Sequence, residues 1–347
     1  MIIPLSYWGS ILLYMTVFLF SAYISKINIK NKLLQISLIS FLPFLIAGLR
    51  YNVGWDYGSY ASGFDLFNTD TSILGMLKSY EMGDSIGLSI ILKLTKSMNS
   101  KFLFFAITSA LNFVPAVLYL INEWDDEKGI LQLSIFATGF SLYFTGLSAI
   151  KQGIAISFCL YSLIYVYKRK PIKFLLFVSI AFLFHASALA FFPVYFLGFY
   201  DKKIAGWKKM AAICGTFIVI FNLERILNVI GGTRFEDYGT SVVSTDNYSF
   251  FLMFFWLLIF LYFRKLLVDL DSRNDLFIIL YAMSLVLMLL GFRNAFVKRI
   301  ADYFSVVEIV LIPQLMFVFN KRSRTCAAIL IGLYFILVCM KLNSGTV

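Results

Sequence analysis

Apolar runs of about 17 to 25 residues, the length a helix needs to cross a bilayer, recur along the whole chain. They lie near residues 2–24, 33–49, 102–121, 130–149, 152–167, 172–200, 210–230, 249–263, 276–292, 300–320 and 325–342. Runs of this length exclude both disorder and a β-barrel, whose strands need only about 10 residues. The pattern predicts an all-α, polytopic integral membrane protein. The sixth run is the exception: its 29 residues are long for one crossing and short for two, and His185, Ser187 and Pro193 fall near its middle. Residues 84–98 are too polar for a span and read as a re-entrant or interfacial segment packed on the bundle.

Charge settles how often the sixth run crosses. If it crosses twice, one side of the membrane collects 18 of the 30 basic residues, among them Lys26, Lys30, Lys32, Lys168, Arg169, Lys170, Arg264, Lys265, Lys321 and Arg322, against 11 on the other. A single crossing would move ten of the 18 outward and bring in only five. The positive-inside rule favours two crossings, hence about 11–12 spans with both termini outside. The two longest polar segments, about 50–101 and 231–248, then face outward. No repeat of 20 to 50 residues and no boundary for a soluble domain is visible, so residues 1–347 read as a single transmembrane domain.

Composition narrows the chemistry. At 60% hydrophobic and 14% charged, against roughly 45–50% and about 25% in soluble domains, the chain is not a soluble enzyme. One histidine excludes a His-rich metal site, and Cys159, Cys214, Cys326 and Cys339 lack CxxC spacing and read as small hydrophobes. The net charge of +11 belongs to membrane topology rather than to nucleic acid. The first run follows an uncharged start and lacks a small-residue cleavage site, so no cleavable signal peptide is expected.

The first outward segment begins LRYNVGWDYGSYASGFDLF at Leu49. Gly54 permits a tight turn, Asp56 can cap a helix, and Asp56 and Tyr60 at i, i+4 share a face. An interfacial aromatic belt with a helix cap explains this composition as well. Six cations, Arg50, Lys151, Arg234, Arg293, Lys298 and Arg299, lie near span ends on the side where the positive-inside rule disfavours them. Only two residues separate the runs around Lys151, so its ammonium sits at membrane depth or snorkels to the interface. Arg299, Asp302 and Tyr303 at i, i+3 and i+4 place a cation, a carboxylate and a phenol on one helix face. Such a cation set suits a lipid-linked phosphate or diphosphate, with snorkelling to lipid head groups as the alternative. His185 is the one side chain suited to proton transfer at neutral pH without a large shift, although a lone histidine on an apolar face also serves as a hydrogen-bonded structural residue. The G-x-S-x-G elbow of a Ser-His-Asp site is absent. The 38 Phe and 20 Tyr could stack on sugars, but lipid contact and packing explain most of them.

These residues resemble the EpsG/Wzy group of bacterial polysaccharide polymerases. The Arg-aromatic-x-Val-Gly-x-Asp-Tyr-x-x-Tyr signature is matched by Arg50, Tyr51, Val53, Gly54, Asp56, Tyr57 and Tyr60. The Arg-Gln-x-x-Ala element is similar to Lys151–Ala155, with Lys in place of Arg, and Ala181, Phe184, His185, Ser187 and Ala188 match Ala-x-x-Phe-His-x-Ser-Ala. Residues 298–315 are similar to the family's Arg-Ile-x-x-Tyr-Phe segment. Glu81 is followed by Met82 where the family usually has Glu-Pro.

The resemblance implies a GT-C-like architecture and a glycosyltransferase of the outer face of the bacterial inner membrane that needs no metal, nucleotide or other cofactor. It would transfer a growing chain from undecaprenyl diphosphate onto the next lipid-linked repeat unit, yielding O-antigen, capsule or exopolysaccharide. Membrane lipids, a chain-length regulator and a flippase are the partners it implies, and no nucleic acid. On this reading Arg50, Lys151 and Arg299, with Arg234 and Arg293, bind diphosphate. His185 deprotonates the acceptor hydroxyl, with Asp56 as the alternative base, and Tyr57, Tyr60 and Tyr303 line the sugar path. A flippase or transporter of lipid-linked sugars would use the same basic surface, although no repeat relates the two halves. An O-antigen ligase would share the donor. A membrane acyltransferase would need a histidine pattern early in the chain.

Overall fold

The computed structural model describes residues 7–70, 85–124, 127–198, 206–231, 247–291 and 295–343, and every regular element among them is helical. In chain order these are α1 (Tyr7–Lys26), α2 (Lys32–Leu49), α3 (Tyr57–Leu66), α4 (Ile86–Ser97), α5 (Lys101–Trp124), α6 (Gly129–Ser148) and α7 (Ile150–Tyr167). There follow α8 (Pro171–Phe184), α9 (Ala186–Leu197), α10 (Gly206–Gly231), α11 (Asn247–Tyr262) and α12 (Arg264–Leu270). The last are α13 (Asn274–Leu290), α14 (Ala295–Ser305), α15 (Glu308–Gln314) and α16 (Arg324–Asn343).

Each expected apolar run is met by helix, and the protein is a multi-pass membrane protein. Among the described residues, six helices have the length and apolarity to cross: α1, α2, α5, α6, α7 and the continuous run Val297–Phe317. The expected eleven or twelve crossings divide into these six, one pair (α11 and α12) bent by 70°, and five shorter apolar helices. The sixth run breaks at His185, between α8 and α9. At 14 residues, α8 rises about 21 Å, short of the roughly 30 Å hydrocarbon core. The polar stretch 84–98 forms α4, whose 12 residues also cannot cross and which packs on α5.

The chain forms two compact units. The first comprises residues 1–161, 183–185 and 319–347, and the second residues 162–182 and 186–318. In the first, α1 and α2 pack against α6 and α5, and α16 lies against α6. Phe18 makes edge-on contacts with Phe140 (5.4 Å) and Tyr143 (5.1 Å), the arrangement that ring quadrupoles favour. Helix irregularities are covered by side chains, as a membrane interior requires. Pro43 has no N–H for the Ile39 carbonyl, and Ser21 Oγ donates to that carbonyl at 2.8 Å. Tyr143 Oη donates to the Pro43 carbonyl at 2.8 Å. Beside Pro115, the Ala116 N–H is accepted by Ser157 Oγ at 3.1 Å. Residues Gly139–Tyr143 of α6 form a π turn, and Asn112 Nδ2 donates to the Leu142 and Tyr143 carbonyls at 3.2 and 3.3 Å.

In the second unit, α13 is flanked by α11 and α14, and α9 packs on α14 and α10. Asn274 and Gln314, both fully buried, exchange amide hydrogen bonds of 2.6 and 3.0 Å. Arg264 clamps Asp275 where α12 meets α13. Gly291 lies so close to the Lys298 backbone that a Cβ would meet its nitrogen at 2.7 Å, which allows the close return from α13 to α14.

Candidate functional site

The signature loop after α2 is built against the break between α6 and α7. The chain leaves α2 at Arg50 and passes through two left-handed residues, Asn52 (φ 51°) and Gly54 (φ 97°). A Cβ on Gly54 would stand 2.6 Å from the Leu147 carbonyl oxygen, so glycine is required both for its φ and for this approach. The Trp55 N–H donates to Ser148 Oγ at 3.2 Å. Arg50 Nη1 donates to the carbonyls of Leu147 at 2.7 Å and Val53 at 3.1 Å. Its guanidinium lies over the Phe105 ring at 4.5 Å and near that of Tyr57 at 5.6 Å.

Arg50 is only 7% exposed. Burial pulls its pKa down from the ordinary guanidinium value, an effect opposed by nearby tyrosines, and arginine remains a cation at any physiological pH. Its Nε is buried without a hydrogen-bond partner among the described residues. The structure therefore places Arg50 beneath the loop as a clamp on the backbone.

The clamp serves Lys151. The break is the single residue Ala149 (φ −99°, ψ 70°), and Lys151 stands half-buried in the first turn of α7. Behind it, a Cβ on Gly153 would meet the Gly146 Cα at 2.5 Å and Asn112 Oδ1 at 3.1 Å, so the backbones of α6 and α7 touch. From the loop side, Tyr60 offers its phenol oxygen to the backbone N–H groups of Lys151 and Ile150, which α7 leaves unpaired in its first turn. Burial pushes the Tyr60 phenol up to about 12, the amide of Lys151 offsetting part of the effect. Tyr60 is thus a neutral hydrogen-bonding group at neutral pH and no base.

Asp56 occupies the N-cap position of α3, but its side chain makes no cap hydrogen bond and is exposed. Tyr57, expected along a sugar path, is instead buried, its ring stacked on Phe105 at 5.0 Å. The rings this loop exposes are Tyr51 (59%) and Trp55 (65%). His185, half-buried, follows Phe184, which stacks on Phe158 of α7 at 6.3 Å.

The second unit holds Arg299 and Tyr303. Helix α14 buries Ile300, Ala301, Tyr303 and Phe304 and exposes Arg299. Tyr303 is fully buried and its phenol accepts a hydrogen bond from Ser187 Oγ at 3.1 Å, so it packs where a path lining was expected. Arg234 and Arg293, like Glu81, lie outside the described residues.

Within the first unit, then, the structure brings Arg50, Tyr57, Tyr60 and Lys151 together. Sequence reasoning placed the break at residues 150–151 where the structure has it at Ala149, and it missed Asn112 and the Gly146–Gly153 contact, although Gly153 inside the KQGIA element was a readable sign of a close backbone approach.

No curated protein and no solved structure matches the chain. The model of the EpsG family matches residues 33–345, a range that includes the signature loop, the Lys151 helix, the His185 break and the Arg299 helix. The chain therefore belongs to the EpsG family, a family of Wzy-like polysaccharide polymerases.

Proposed function

We propose that the protein polymerises undecaprenyl diphosphate-linked oligosaccharide repeat units at the outer face of the bacterial inner membrane. The observation that carries the reading is the docking of the signature loop, through Arg50, Gly54, Trp55 and Tyr60, on the turn that presents Lys151. A loop that spends four contacts on one lysine-bearing turn fixes a cation at a span end, where a lipid diphosphate lies.

In this mechanism Lys151 and Arg299 pair with diphosphate oxygens, and the buried charge of Arg50 adds to the field from below. The acceptor hydroxyl attacks the anomeric carbon of the donor. Its oxygen–carbon bond forms as the bond from that carbon to the diphosphate oxygen breaks, and the leaving diphosphate takes the electron pair. The cations offset the negative charge that develops there. His185 accepts the hydroxyl proton, with Asp56 as the alternative acceptor. Tyr51 and Trp55 offer exposed ring faces on which sugars stack.

The test is incubation of purified protein in nanodiscs with its lipid diphosphate-linked repeat unit, without nucleotide sugar or divalent metal. A ladder of products is expected. Folded protein that binds the substrate and yields no ladder would turn the reading to a transporter, or to a ligase if lipid A core restored transfer.

A further inference from the structure

Helix α4 has no assigned part in the reaction, yet its ends are fixed. Ser85 caps its start, its Oγ accepting the Leu88 N–H at 3.2 Å, and one face (Gly87, Leu88, Ile91, Leu92, Thr95) is buried. At the other end the Ser100 N–H returns to the Thr95 carbonyl at 3.0 Å through left-handed Asn99 (φ 48°), a Schellman-type ending that leads directly into α5. Lys96 donates to the Asp65 carbonyl at 2.9 Å, and Lys101 pairs with the Asp65 carboxylate at 2.7 Å.

The fixed helix points its first turn at the residues before His185. Ser85 Oγ donates to the Leu183 carbonyl at 3.4 Å. Gly87 lies against the Phe184 ring so closely that a Cβ would meet three of its atoms at 2.8–2.9 Å. The same ring stacks on Phe158, with planes 6° apart. Phe184 ends α8, and the residue after it, His185, is the one outside helical conformation between α8 and α9.

We propose that α4 is a brace that sets the position of His185, with Gly87 as a positioning residue that acts through Phe184. The inference rests on the reading of His185 as the base. A helix held at its far end fixes where its first turn stands. The absent side chain at 87 lets that turn close on Phe184, and the ring, in contact with both Gly87 and Phe158, fixes the end of α8 from which His185 follows.

Single-turnover transfer in nanodiscs, with one lipid diphosphate-linked donor and acceptor, tests this on wild type, Gly87→Ala, His185→Gln and the double variant. Gly87→Ala is expected to slow the transfer step about 100-fold at saturating substrate with half-saturation unchanged, because small misplacement of a reacting group costs that much. The double variant is expected to be no slower than His185→Gln, since a misplaced glutamine has no proton transfer to lose. In a Phe184→Leu background the new methyl has room, and most of its penalty should vanish. Equal slowing by Gly87→Ala in the wild-type and His185→Gln backgrounds overturns the brace and leaves Gly87 a packing residue. Wild-type transfer by His185→Gln overturns the base assignment itself, and the brace with it. Should Gly87→Ala fail to reach the membrane, Phe158→Leu removes the ring's stacking partner and is read in the same cycle by the same criteria.

Discussion

Arg50 Nη1 donates to the Leu147 carbonyl at 2.7 Å and so ties the end of α2 to the break before α7, 97 residues later. A buried hydrogen bond from a charged donor contributes about 1.5–3 kcal/mol. Arg50→Ala is therefore expected to lower the thermal unfolding midpoint in detergent and to abolish long-chain polymer, with the protein still in the membrane. Arg50→Lys keeps the charge but not the planar fork, and it should regain little of either. Full-length polymer from both variants would remove Arg50 from the site.

Two glycines four residues apart, Gly54 and Gly58, make a matched pair for testing the loop. Gly54→Ala combines a φ of 97° with a contact at 2.6 Å to the Leu147 oxygen, and strain of this kind costs about 1–3 kcal/mol. Gly58 in α3 has nothing within 4 Å of its would-be Cβ, and alanine there should stabilise by about 0.5–1 kcal/mol. Polymer length in cells and unfolding midpoints should fall for Gly54→Ala and hold for Gly58→Ala. Loss of polymer from both would mean that the loop's flexibility matters more than its docking.

The pH dependence of transfer separates Tyr60 from His185. A base must be deprotonated to act, so the rate rises with pH and levels off above the pKa of the base. Tyr60, pushed up to about 12, stays protonated throughout. Tyr60→Phe should lower the rate through the lost phenol contact and leave the shape of the profile unchanged. His185→Gln should remove the rising limb. A limb that survives in His185→Gln and disappears in Asp56→Asn would assign the base to Asp56.

The reciprocal amides of Asn274 and Gln314 predict a non-additive pair. Either one replaced by leucine strands a buried amide, at about 1–3 kcal/mol. Replacing both removes the need, so the double variant should be more stable than the sum of the single losses. Unfolding midpoints of the three variants in detergent check this. Strict additivity would show that each amide acts through its backbone partner, the Leu267 or Val310 carbonyl.

Hydropathy and charge made the helices legible because each apolar run must bury its backbone within itself. His185 marked the break in the sixth run, whereas Pro193 lies eight residues further on, within α9. Span length was less legible: α8 read as a full crossing, yet at 14 residues it is a shorter helix, since apolar composition does not fix where a helix ends. The signature loop was visible as a motif, but the direction of Arg50 was not. A cation at a span end carries the same sequence signal whether it meets a ligand or a carbonyl 97 residues away. Tyr57 and Tyr303 are buried, because an aromatic ring beside a span packs inward as readily as outward. Nothing local distinguishes Gly139–Tyr143 from ordinary helix, since its extra residue is accommodated by Asn112 on another element.

The gap at Pro43 bears on how the chain enters the membrane. Ser21, which covers the Ile39 carbonyl, precedes the proline, whereas Tyr143, which reaches the Pro43 carbonyl, follows it by 100 residues. A chain made from its N-terminus thus carries the cover for the Ile39 carbonyl before that carbonyl is synthesised. The hairpin of α1 and α2 can move sideways from the insertion machinery into lipid with the Ile39 carbonyl already covered, and Tyr143 arrives later as a latch on a hairpin already in place.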